Sequence, residues 1–98
     1  MRLVADLIAK VRFFPSSEGG RRGPTTSGRF GCILEFDGGF HECRLLLGEV
    51  GPLWPGQEAV VAIKFLYPDL AKPRLKGGDK FYLREDRRIA EGNVERLL

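Results

Sequence analysis

Short apolar runs separated by glycine and proline set the rhythm of this chain. Leu7 to Phe14 alternates loosely, is rich in β-forming residues, and stops at Pro15. Residues 15–28 contain no apolar side chain and read as one long loop. Cys32-Ile33-Leu34-Glu35-Phe36 predicts a strand, and Phe40 to Leu47 predicts its partner. Between them, Asp37-Gly38-Gly39 tolerates the positive φ that tight hairpins need. Gly48 to Leu53 is a connection, and Trp54-Pro55-Gly56-Gln57 is a turn in which Pro presets φ.

Glu58 to Leu66 predicts a further strand, with Ala59, Val61, Ile63 and Phe65 on one face. Its other face (Val60, Ala62, Lys64, Leu66) is also largely apolar, which predicts cover on both sides. Tyr67-Pro68 ends it, and residues 69–76 form a loop with room for one helical turn. Gly77-Gly78-Asp79 opens a strand over Lys80–Arg84 with Phe81 and Leu83 inward. Asp86-Arg87 makes a tight turn, and Arg88 to Arg96 supplies the last strand. No internal repeat, domain boundary or sustained helical period interrupts this order. The pattern therefore predicts one all-β domain over residues 1–98, a barrel or a sandwich.

Composition narrows the class. Hydrophobic residues make up 43% and charged residues 30%, the balance of a globular domain. No run of about 18 apolar residues exists, so no membrane partner is expected. Asp6 falls where a signal peptide would have its apolar core, so no export signal is read and a cytoplasmic location is expected. Met1 and the Leu97-Leu98 end suit a complete short frame. Cys32 and Cys43 then read as buried free thiols, able to face each other across the hairpin in a compartment that does not favour a disulfide. A net charge of +3 and a pI of about 9.1 permit contact with nucleic acid without demonstrating it.

The order of the turns adds a resemblance. Leu7-Ile8-Ala9-Lys10-Val11 precedes Glu18-Gly19-Gly20-Arg21, Pro24 and Ser27-Gly28. Trp54-Pro55-Gly56-Gln57, Leu66-Tyr67-Pro68, Phe81-Tyr82-Leu83-Arg84-Glu85 and a closing strand around Ile89 to Val94 follow. Over roughly residues 7–96 this resembles the C-terminal barrel, the third domain, of elongation factor Tu and its archaeal and eukaryotic equivalents. The resemblance implies a six-stranded antiparallel Greek-key barrel that touches the T-stem of aminoacyl-tRNA and packs on neighbouring domains. It also implies that Arg21 chiefly braces its own loop, with Glu18, Gly19, Gly20, Pro24 and Gly28 as loop-forming residues. The family's tRNA-contacting arginine position is Phe30 here, with Arg29 one residue earlier. The family's contacting glutamate is matched by Glu85, but the glycine after it is Asp86. The phosphate-cradling Gly-x-x-x-x-Gly-Lys-Ser/Thr loop is absent, so 98 residues alone could not hydrolyse GTP.

Candidate chemistry is sparse. The cationic candidates for RNA or partner contact fall in two groups, Arg21, Arg22 and Arg29, then Arg84, Arg87 and Arg88 beside Glu85. Either they neutralise phosphates, or they form a solvated face balanced by Glu18, Glu85 and Asp86. His41 and Cys43 share a strand face, yet a packed or surface histidine is the plainer reading than a Cys-His nucleophile. A zinc site from Cys32, His41 and Cys43 lacks a fourth ligand and a familiar spacing, so no metal and no cofactor are expected. Trp54 is expected to plug one end of the barrel. The expected function is a non-catalytic module binding tRNA, another RNA or a translation-related protein. The alternative is a protein-interaction or self-associating module with no nucleic-acid role.

Overall fold

The computed structural model describes residues 4–98. Alternation of apolar and polar residues becomes six strands: β1 (Leu7–Phe13), β2 (Arg29–Phe36), β3 (Gly39–Leu46), β4 (Glu58–Phe65), β5 (Lys80–Arg84) and β6 (Arg88–Leu97). One short helix, α1 (Pro68–Ala71), and two 3-10 turns fill the connections. The strands close in the order β1-β4-β3-β2-β5-β6, with every neighbouring pair antiparallel. β2, β3 and β4 form a meander, and β4 returns beside β1, which is Greek-key connectivity. The chain is thus an all-β, closed six-stranded antiparallel barrel. No described helix is long and apolar enough to cross a membrane.

Closure sends every second side chain inward. In β1, Leu7, Ala9, Val11 and Phe13 are buried, and their counterparts include Leu34, Leu45, Ile63, Phe65, Phe81 and Leu83. Phe13 meets Phe30 edge-on, with centroids 6.3 Å apart. Phe30 is therefore part of the core. Asp37 (φ 50°) and Gly38 (φ 77°) make the two-residue β2–β3 turn as expected.

Three expectations change. β2 begins at Arg29, three residues before the predicted start, because Arg29 is already paired with Leu46 of β3. The outer face of β4 is not covered: Val60 is 50% and Leu66 47% exposed, since no second layer packs on this barrel. Trp54 does not plug an end of the barrel. It is 57% exposed, and neighbouring Leu53 turns into the core instead, its amide bonded to Thr25 Oγ1 at 2.9 Å.

Candidate nucleic-acid interface

The long loop and the β5–β6 hairpin are joined by the arginines themselves. Ser16–Glu18 forms a 3-10 turn with Glu18 exposed, and Gly19 follows at φ 88°. Gly20 is seated so closely that a β-carbon there would lie 1.9 Å from the Phe14 carbonyl oxygen. Arg21 donates to the carbonyls of Pro24 (3.1 Å) and Gly23 (3.4 Å), and its guanidinium lies 4.9 Å from the Phe30 ring centroid. It also pairs with Glu85. Arg87 donates to the Gly19 carbonyl at 2.8 Å and the Gly20 carbonyl at 3.2 Å. Gly28, at φ 80°, ends the loop.

A second knot forms on the outer wall. Glu35 of β2 accepts two bonds from Arg88 (3.1 and 2.7 Å) and one from Arg84 (3.0 Å). The bonds from Arg88, aided by Arg84, hold the Glu35 carboxyl below its usual range against partial burial. Arg88 covers the Tyr82 ring at 3.9 Å, and Arg84 lies 5.2 Å from that of Phe40. Arg21, Arg84, Arg87, Arg88 and Glu85 are thus brought together in pairs that bind one another and the backbone. Arg22 lies exposed on the same loop, with no ion-pair partner among the described residues.

Arg29 belongs elsewhere. It opens β2 on the outer wall and lines a recess with Arg44, Lys64, Phe65 and Leu66. Arg44 of β3 and Lys64 of β4 are direct register partners, and Gly31 of β2 stands opposite Arg44 on the other side. The missing side chain at Gly31 leaves a seat for the Arg44 guanidinium, whose Nη1 would lie 3.9 Å from a β-carbon there. Lys64 Nζ stands 3.4 Å from Asp6 Oδ2. That carboxylate is itself buried and accepts the Phe65 amide at 2.8 Å. Arg29 and Arg44 have no ion-pair partner among the described residues. Like charges directly opposite on paired strands repel; Asp6 offsets Lys64 and Glu42 lies on the strand of Arg44, while Arg29 and Arg44 keep their charges without an ion pair among the described residues.

Exposed apolar groups border the recess. Leu66 forms part of it, and the next groove along is lined by Phe40, His41, Glu42, Tyr67 and Leu70. Phe40, Tyr67 and Leu70 are all exposed. His41 packs its ring edge-on against Phe65 with centroids 6.2 Å apart, and its Nε2 is buried without a hydrogen-bond partner. Burial, with Arg74 nearby, lowers its pKa. Cys43 faces Cys32 across the hairpin. Among the described residues no three His, Cys, Asp or Glu side chains gather to hold a metal ion.

Sequence reasoning missed Arg44 and Lys64. Strand alternation puts both on an outer face, but only register makes them neighbours of Arg29. A scan against protein-family models and a search of curated proteins each return no match to this chain.

Proposed function

We propose that this barrel is a non-catalytic binding module that takes the phosphate backbone of RNA on its β2–β3–β4 wall. The observation that carries the reading is the register pairing of Arg44 with Lys64, next to Arg29, with no acidic partner for either arginine among the described residues. Such a cluster releases condensed counterions when phosphates replace them. Exposed Phe40 and Tyr67 beside it offer ring faces to unstacked bases. The turn order resembling the third domain of elongation factor Tu supports tRNA as the RNA class and a cytoplasmic setting.

Fluorescence titration against tRNA and an unstructured RNA oligomer tests this. The expected result is a Kd below about 100 μM at low salt, weakening steadily as salt rises. Affinity unmoved by salt, or none at that level, removes the RNA reading. A second reading is favoured by one observation, the exposed run of Leu66, Tyr67 and Leu70 beside Phe40. Such a surface suits a protein partner or a second copy. Sedimentation over a range of concentrations separates self-association from a monomer that binds RNA.

A further inference from the structure

Cys32 of β2 and Cys43 of β3 are register partners, both turned into the barrel, with their Sγ atoms 3.7 Å apart. Both are free thiols. The phase of the β2–β3 ladder fixes the kind of pair they form. Leu47 N–H donates to the Gly28 carbonyl, and stepping by two along both strands from Gly28–Leu47 passes Phe30–Leu45 and reaches Cys32–Cys43. Hydrogen-bonded pairs recur at this period, with Cα atoms about 5.5 Å apart. Disulfides most often bridge Cα atoms about 5.5–6 Å apart, with an S–S bond of about 2.05 Å. Closing the sulfurs by about 1.7 Å from 3.7 Å also draws the two strands together locally, because β-carbons directly opposite in a hydrogen-bonded pair lie about 5.5 Å apart and a relaxed disulfide holds them at about 3.5–4.5 Å.

The pair is also approachable. β5 pairs with β2 only from Ile33 to Glu35, so the wall beside Gly31 and Cys32 has no strand over it. A recess opens there, lined by Gly31, Cys32, Cys43, Arg84 and Glu85 among others. Cys32 is 9% exposed and Cys43 1%, which makes Cys32 the sulfur met first.

We propose that Cys32 and Cys43 are a modification site, an oxidisable dithiol that a small uncharged peroxide converts to an intrachain disulfide inside the intact barrel. In the first step Cys32 Sγ, losing its proton, attacks one peroxide oxygen. The O–O bond breaks, water leaves, and Cys32 becomes a sulfenic acid. In the second step Cys43 Sγ attacks Cys32 Sγ. The S–OH bond breaks, the S–S bond forms, and the hydroxyl leaves as water with the Cys43 proton. Two thiols are oxidised by two electrons, and one peroxide is reduced to two waters. The hydrogen bond with Cys43, together with burial, raises the Cys32 pKa, so the first step is slow and the pair stays reduced until the oxidant is abundant. The second step is intramolecular at contact distance, so the sulfenic acid does not accumulate.

The test treats the full chain with hydrogen peroxide under native conditions, then unfolds it in the presence of a thiol alkylator. The expected product is a monomer lighter by about 2 Da with neither cysteine alkylated, restored to two free thiols by dithiothreitol. Near-ultraviolet circular dichroism stays native throughout. Cys43→Ser and Cys32→Ser are each expected to lose the 2 Da product, and folded Cys43→Ser instead gains about 16 Da at Cys32. If either variant fails to fold, peptide mapping of the oxidised parent decides through a Cys32–Cys43 crosslinked fragment. Two alkylatable thiols after native peroxide treatment overturn the proposal. So does a disulfide found only between two chains, or only once the barrel is unfolded.

Discussion

Arg21 and Glu85 lie 64 positions apart and form an ion pair that clasps the long loop to the β5–β6 hairpin. The pair works with Arg87, which reaches back from that hairpin to the carbonyls of Gly19 and Gly20. The loop has no apolar side chain to anchor it. Its order therefore depends on these polar ties and on the exchange between Thr25 and Leu53.

Arg21→Ala removes both the Glu85 pair and the bonds to the Gly23 and Pro24 carbonyls. It is expected to lower stability by about 2 kcal/mol, because bonds from a charged donor contribute more than neutral ones. Glu85→Gln removes only a partly exposed ion pair, so its expected cost is at most about 1 kcal/mol. Urea midpoints at constant slope measure both. Equal losses from the two variants would show that the ion pair, rather than the carbonyl bonds, holds the loop.

The two glycines of this turn do different work, and alanine separates them. Gly20→Ala drives a β-carbon against the Phe14 carbonyl, which belongs to rigid backbone. The expected loss is on the order of 3 kcal/mol or more, from strain that only a shift of the turn can relieve. Gly19→Ala meets open space but must hold φ near 88°, which costs about 1–2 kcal/mol. Thermal unfolding of the two variants should rank them in that order.

Much of the fold was legible because a barrel strand shows its period in sequence. Leu7, Ala9, Val11 and Phe13 announce β1, and Asp37-Gly38 announces the β2–β3 hairpin. The glycines of the Glu18-Gly19-Gly20-Arg21 turn were legible too, and Arg21 bonds the Gly23 and Pro24 carbonyls of the same loop. The cationic wall was not. Arg29, Arg44 and Lys64 are scattered over three strands, and only pairing register sets them side by side. Trp54 misled because size alone favours burial, whereas the turn placed Leu53 inward.

His41 and Glu35 are expected to contribute to the acid limb of stability in separate windows. Burial, with the Arg74 charge nearby, lowers the His41 pKa. The unfolded chain thus binds that proton more readily, and stability declines as pH falls through about 6.5 toward the folded value. Arg88 and then Arg84 lower the Glu35 pKa. Its contribution is complete above about pH 4.3 and is lost as pH falls through the folded value below that. Denaturant midpoints measured from pH 7.5 to 3 should therefore fall in two stages. His41→Gln is expected to flatten the first stage and Glu35→Gln the second. An unchanged first stage in His41→Gln would assign it to another group.

On the proposed RNA-binding reading, the β2–β3–β4 wall lets binding be tested apart from folding. Arg44→Gln removes a cation that faces Lys64 directly, so it is expected to leave stability unchanged or raise it by about 0.5 kcal/mol. The same variant should weaken RNA binding and lower the slope of log K against log salt by about 0.7 for a single strand. Arg29→Gln should do likewise, since Arg29 also lacks an acidic partner among the described residues. Arg88→Gln provides the contrast. It breaks the paired hold on Glu35 and should lower stability. Its salt slope should match the parent, because its guanidinium is already engaged by Glu35 and Tyr82. The outcome that moves the interface to the loop and hairpin is the reverse one, a lower slope in Arg88→Gln with Arg44→Gln unchanged. Salt then still governs binding, but through cations whose internal partners give way to phosphate.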